Sequence, residues 1–198
     1  MLACISRITT IRTTGGFLGD GKTEYIVANI LSDLKGSLVD ASNGLERNVE
    51  PDGAEIGDTT TLDCYALHSQ RISFVYATYI YLYRTVFDTP PQIVQSYISQ
   101  VFQNVSNFYA CSSGNFSIWP AFMAAVESYT NEDMESARKW LTWATSFGVG
   151  SRTSVRRIIE SVWERRETLS RSSGIPKGVI TVDWREVMQE LDCDVLLI

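Results

Sequence analysis

The sequence predicts an all-α fold, a helical bundle or α-solenoid-like array of about seven helices, and three observations lead there. Apolar residues recur at steps of three and four and nowhere alternate over strand lengths. Most stretches are joined by short segments carrying Gly, Pro, Ser or Asn. The 198 residues, 44% hydrophobic and 20% charged, can build one core without disulfides or metals, so residues 1–198 are read as a single domain.

Each element can be justified in turn. Leu2, Ile5, Ile8 and Ile11 step by three, which favours a first helix ended by Gly15-Gly16. A glycine-rich turn, GGFLGDG, leads into a second helix with Ile26, Ile30, Leu34 and Leu38 on one face and Thr23 as its expected N-cap. Residues 42–61 (SNGLERNVEPDGAEIGDTTT) are polar, acidic and without period, and are expected to form a long flexible loop. From Leu62 to Phe87 a central helix is expected, with Ile72, Tyr76, Tyr79, Tyr83 and Val86 facing inward and Val75, Ile80 and Leu82 widening the stripe. Pro90 and Pro91 stop it and open the next, which buries Val94, Ile98, Val101, Val105 and Phe108.

A short helix, SIWPAFMAAVESY, follows with Pro120 near its start. Thr130 to Asp133 form a capping-box pattern ahead of Met134, Ala137, Leu141 and Ala144, and Phe147-Gly148 closes that helix. The next runs from about Thr153 to Leu169 and buries Val155, Ile158, Ile159 and Val162. After a polar linker, SRSSGIPKG, a C-terminal helix over 183–192 is capped by Asp183, buries Trp184, Val187, Met188 and Leu191, and runs into an apolar VLLI tail.

A net charge of −6 repels phosphate, which argues against direct DNA binding and against an anionic membrane. Cys4, Cys64, Cys111 and Cys193 lie far apart, and His68 is the sole histidine, so no metal-ligand spacing is present and no metal site is expected. Four scattered thiols read as reduced cysteines of a cytosolic or nuclear protein. The N-terminus has no cleavage-site pattern, and the apolar run Ile72 to Tyr83 is shorter than the roughly 20 residues that cross a bilayer.

One motif carries chemistry by pattern. Gly16-Phe-Leu-Gly-Asp-Gly21-Lys22-Thr23 matches G-x-x-x-x-G-K-[ST], whose backbone amides cradle phosphates. Val179-Ile180-Thr181-Val182-Asp183 even imitates the strand that ends in a magnesium-binding Asp. A phosphate loop needs a buried strand ahead of it, however, and ACISRITTIRT has helical spacing. Gly16, Gly21, Lys22 and Thr23 are therefore read as decoys; a nucleotide-binding enzyme stays an alternative, as does a generic helical scaffold. His68 lacks a Ser or Cys partner at a motif spacing, so no catalytic residue and no cofactor is expected. The tyrosines of the central helix read as core, with room left for a small-effector pocket.

Four stretches together carry a resemblance. They are LACISRITTIR; Tyr79-Ile-Tyr-Leu-Tyr-Arg84 through Pro90-Pro91 and the Val94-Gln95 helix; Trp119-Pro120-Ala-Phe122 through Glu127; and Val162-Trp163-Glu164-Arg165-Arg166 joined to Val182-Asp183-Trp184-Arg185-Glu186-Val187-Met188 and Asp194-Val-Leu-Leu. In this order they resemble the C-terminal part of the fungal-specific transcription factor domain that follows the Zn(II)2Cys6 cluster in fungal regulators. The resemblance implies a nuclear, non-catalytic regulatory domain that contacts partners of the transcription machinery or a small effector, with a homodimer among the expectations. The six-cysteine cluster and its zinc are not in this sequence. The chain is accordingly expected to be a fragment, a truncated product, or a paralogue without direct DNA binding.

Overall fold

A computed structural model describes residues 1–16, 19–48, 59–112, 114, 116–146 and 151–193. Among them are eight α-helices and two short 3-10 turns and no strand, the all-α array that the three- and four-residue periodicity predicts. The helices are α1 (Leu2–Thr13), α2 (Gly21–Asn48), α3 (Thr59–Thr85), α4 (Gln95–Cys111), α5 (Ile118–Glu127), α6 (Asn131–Ser146), α7 (Ser151–Ser173) and α8 (Trp184–Glu190). The 3-10 turns are Pro91–Val94, which leads into α4, and Lys177–Val179, between α7 and α8.

Helix α3 is the spine. It packs along α4 for much of its length and also touches α1, α2 and α5. Its most deeply buried apolar side chains are Ala77, Ile80 and Leu82 at 0% exposure, and Ile72 and Val75 of the expected stripe are buried with them. Tyr76, Tyr79 and Tyr83 are half-buried instead. The reason is that α3 has neighbours on several sides: small residues (Ser73, Ala77, Thr78) take the closest approaches, and the tyrosines cover the seam with α4. There Tyr79 stacks on Tyr97 with ring centroids 5.0 Å apart, and Tyr83 stacks on Phe87 at 5.2 Å.

Helix α5 is the hub of the other half. Every residue from Trp119 to Ser128 is buried, and α3, α4, α6 and α7 all contact it. Such a segment is apolar on all sides because all sides are covered.

Several boundaries differ from expectation. Residues 42–48 continue α2 and residues 59–61 already belong to α3, so the expected loop over 42–61 is helical at both ends; residues 49–58 lie outside the described residues. A polar composition did not end α2, because the helix needs only one buried face, and Ile30, Leu34 and Ala41 supply it. Thr23 is not the N-cap of α2 but a buried residue of its first turn, while Asp20 Oδ1 accepts from the Lys22 amide at 3.3 Å. Helix α7 extends to Ser173 and absorbs the start of the expected polar linker. Helix α8 is shorter than 183–192, and Leu2, placed on the first helix's inner stripe, is 59% exposed. Two capping expectations are matched in detail: Thr130 Oγ1 accepts from the Asp133 amide at 3.1 Å, and Asp183 Oδ1 from the Arg185 amide at 2.9 Å. The Phe147-Gly148 stop and the VLLI tail lie outside the described residues.

Candidate functional site

The phosphate-loop match can be judged from its surroundings. Helix α1, not a strand, precedes it, and the Gly16 amide donates back to the Ile11 carbonyl at 3.0 Å. Gly21, Lys22 and Thr23 form the first turn of α2. At the helix start, where a phosphate would sit, stands the Asp20 carboxylate, which takes the Lys22 amide and, at 3.4 Å, the Thr23 hydroxyl. A carboxylate at that position already complements the helix dipole and repels a second anion. Gly16 is needed for a different reason: a Cβ there would lie 2.9 Å from Thr23 Oγ1, so its smallness lets α1 and α2 close together. A 470 Å³ cleft does lie beside these residues; of the two cations on its wall, Arg7 is committed to Asp33 at 2.7 Å and to the Ile26 carbonyl at 3.2 Å, and the exposed Lys22 shares the wall with the Asp20 carboxylate.

His68 sits partly exposed on α3. None of the four cysteines is in a disulfide, and burial pushes the Cys4 thiol above its ordinary pKa, which makes it unreactive. Among the described residues no three His, Cys, Asp or Glu side chains are grouped to hold a metal, and the scattered cysteines do not fit a zinc cluster. Among them, too, no helix is long and apolar enough to cross a membrane.

The constellation that sequence reasoning missed is a buried charged junction. Glu127, at the end of α5 and 2% exposed, lies between Arg84 of α3 and Arg166 of α7. Arg84 Nε is 2.9 Å from Glu127 Oε1; the N–H is not aimed along that line, so the contact is an ion pair without a well-formed hydrogen bond. Arg166 Nη2 is 3.4 Å from Glu127 Oε2.

Arg166 itself is 1% exposed. It donates to the carbonyls of Ser128 (2.9 Å), Val126 (3.1 Å) and Ile180 (3.3 Å), which ties the end of α5 to the segment before α8. Burial lowers the Arg166 pKa; Glu127 opposes that shift and Arg84 adds to it. Arg84 also donates to the Thr89 carbonyl and so holds the turn after α3, where Asp88 takes a left-handed φ of 47°.

The junction continues to the surface. Asp183 Oδ2 meets Arg12 of α1 at 3.3 Å, and its Oδ1 meets Arg185, whose guanidinium lies over the rings of Trp184 (4.4 Å) and Tyr81 (5.2 Å). A polar cavity of 190 Å³ lies among Arg12, Arg84, Glu127, Asp183 and Arg185. Each of the four stretches that carry the resemblance supplies a member: Arg12, Arg84, Glu127, and Arg166 with Asp183. Separate in sequence, they meet at one point in space. A basic or acidic residue inside an otherwise apolar motif was the available signal, since burial is the condition under which Arg and Glu need such partners.

Trp163 is buried at 8% exposure, and its indole Nε1 donates to the Ala125 carbonyl at 2.8 Å. Trp184, expected to be buried as well, is only partly so; it meets Phe122 edge-on, and its outer face carries Arg185.

An all-α array whose buried charges fasten helix to helix defines the class: an all-helical domain. The chain belongs to the fungal-specific transcription factor domain family, whose model matches residues 28–198. Its role is therefore in transcription regulation, and the family is generally non-enzymatic. Comparison with curated proteins and with solved structures finds no significant match.

Proposed function

We propose that this chain is a regulatory region acting in RNA polymerase II transcription, in the nucleus, through contact with protein partners or a small effector and without binding DNA itself. The family match over residues 28–198 carries this reading. The net charge of −6 supports the absence of direct DNA contact, because an acidic surface gains nothing from counterion release. No cofactor and no catalytic group enters the proposal. The chain acts by presenting surfaces, alone or as a homodimer.

The test fuses the full chain to a heterologous DNA-binding module upstream of a reporter in a fungal host, with a fluorescent tag to follow its location. A reporter change in either direction with nuclear accumulation is expected. Nuclear accumulation with reporter output equal to that of the module alone would overturn the proposal.

A further inference from the structure

An unassigned cavity lies at the other end of α1, away from the phosphate-loop match. It measures 460 Å³ and is shaped by the start of α1 and by facing surfaces of α2 and α3. That volume falls within the range of about 300–1,000 Å³ usual for small-molecule sites. Ala41 on α2, Phe74 and Val75 on α3, and Leu2 on α1 give it an apolar lining. Phe74 is braced from behind by Trp119, stacked with centroids 5.7 Å apart, so this wall is held in place by the α5 hub.

Two side-chain charges of opposite sign stand on different walls, Asp40 on α2 and Arg71 on α3, and Met1, with its amino group, lines the cavity just ahead of α1. Ser37 and Ala41 are four apart on α2 with Asp40 beside them, and Arg71, Phe74 and Val75 follow at i, i+3 and i+4 on α3. Each helix thus turns one face with one charge and apolar neighbours into the same cavity. Among the described residues neither Asp40 nor Arg71 makes an ion pair or side-chain hydrogen bond, with the other or with any third group.

We infer that this cavity binds a small apolar zwitterion, a molecule with a hydrocarbon or aromatic body, an ammonium group for Asp40 and a carboxylate for Arg71. Charge complementarity selects this class. A ligand carrying both charges gains a charge-assisted contact to each helix, where a singly charged ligand gains one and a purely apolar ligand none. Binding would bridge α2 to α3 and so bias how firmly the first two helices hold the spine. The inference takes its biological meaning from the regulatory reading above, but its test is a binding measurement on the purified chain, so each can fail without the other.

The experiment titrates the 198-residue chain by calorimetry and by thermal shift with L-phenylalanine and L-leucine as probes. Three controls are used: 3-phenylpropanoate, which lacks the ammonium; phenethylamine, which lacks the carboxylate; and glycine, which lacks the body. Saturable binding of at least one of the two zwitterions is expected, with all three controls weaker by about tenfold or more. Asp40→Asn should abolish the preference over 3-phenylpropanoate, and Arg71→Gln the preference over phenethylamine. Both side chains are exposed and unpaired, so both variants should melt with the wild type.

No saturable binding of either zwitterion would overturn the inference, as would equal binding of a singly charged analogue or affinities unchanged in both variants. A concentration-dependent dimer that Arg71→Gln dissociates would also overturn it, by assigning the cavity to a second copy of the chain.

Discussion

Removing one partner from the junction at Glu127 should cost more than the pair itself contributes, because the remaining charge is nearly fully buried and loses its counter-charge there. Arg166→Ala would strip Glu127 Oε2 of its counter-charge and leave three backbone carbonyls without their donor. A loss of about 3–5 kcal/mol in chemical denaturation is expected. A midpoint unchanged from wild type would mean that water reaches the site. Trp163→Ala should cost about 3–5 kcal/mol, since a packed ring and the bond to the Ala125 carbonyl are lost together. Trp184→Ala should cost less, about 1–3 kcal/mol, because one face of its ring is covered by the Arg185 guanidinium and not by core. If the two losses prove equal, the difference in burial between these tryptophans has no energetic content.

At the scale of the element, α6 starts on a short polar circuit. Thr130 Oγ1 accepts from the Asp133 amide, and Asp133, 5% exposed, accepts in return from the Thr130 hydroxyl and from the Gln95 side-chain amide of α4. Thr130→Ala should therefore cost about 1–2 kcal/mol, at the upper end for a helix cap, because it also loosens the link to α4. Amide exchange confined to the first turns of α6 would locate the effect; uniform exchange along the helix would show that the cap sets nothing locally.

The turn before α8 makes a different demand. A Cβ on Gly178 would meet Tyr129 Cε2 at 2.8 Å, so Gly178→Ala must push a ring aside, at about 1–3 kcal/mol. The tyrosine seam between α3 and α4 adds a pH dependence. Burial, then neighbouring tyrosines, raise the pKa of Tyr79 and of Tyr97. The stability this gives is present below the ordinary tyrosine pKa of about 10 and is lost as pH rises through the raised folded values. In an alkaline absorbance titration, Tyr79→Phe and Tyr97→Phe should each remove a late-ionising step; loss of an early step instead would contradict the burial.

For the whole molecule, the competing readings of Gly16 to Thr23 give opposite thermal behaviour. A ligand at 100 times its Kd would stabilise the fold by about 2.7 kcal/mol, a shift of several degrees for a domain of this size. With Asp20 already at the start of α2, millimolar magnesium–ATP or magnesium–GTP should produce no shift, and Lys22→Ala should change stability by no more than about 0.5 kcal/mol. A saturable shift that Lys22→Ala removes would restore the nucleotide reading.

The sequence by itself determined the helical class, the order of the elements and the caps at Thr130 and Asp183, because apolar periodicity and capping are local properties of a few neighbouring residues. It misplaced what depends on how many neighbours a helix has. The buried face of α3 turned away from Tyr76 and Tyr83 once helices closed on it from several sides, and the polar residues 42–48 stayed helical because one buried face sufficed. Only the tertiary structure decided the junction. Arg84, Glu127 and Arg166 are each unremarkable charges in sequence, 43 and 39 positions apart, and no local pattern records that they share a site. The same limit applies to Asp40 and Arg71, whose common cavity exists only after α2 and α3 have packed. Periodicity reports what a helix hides from water, whereas the pairing of charges depends on which helices hide it together.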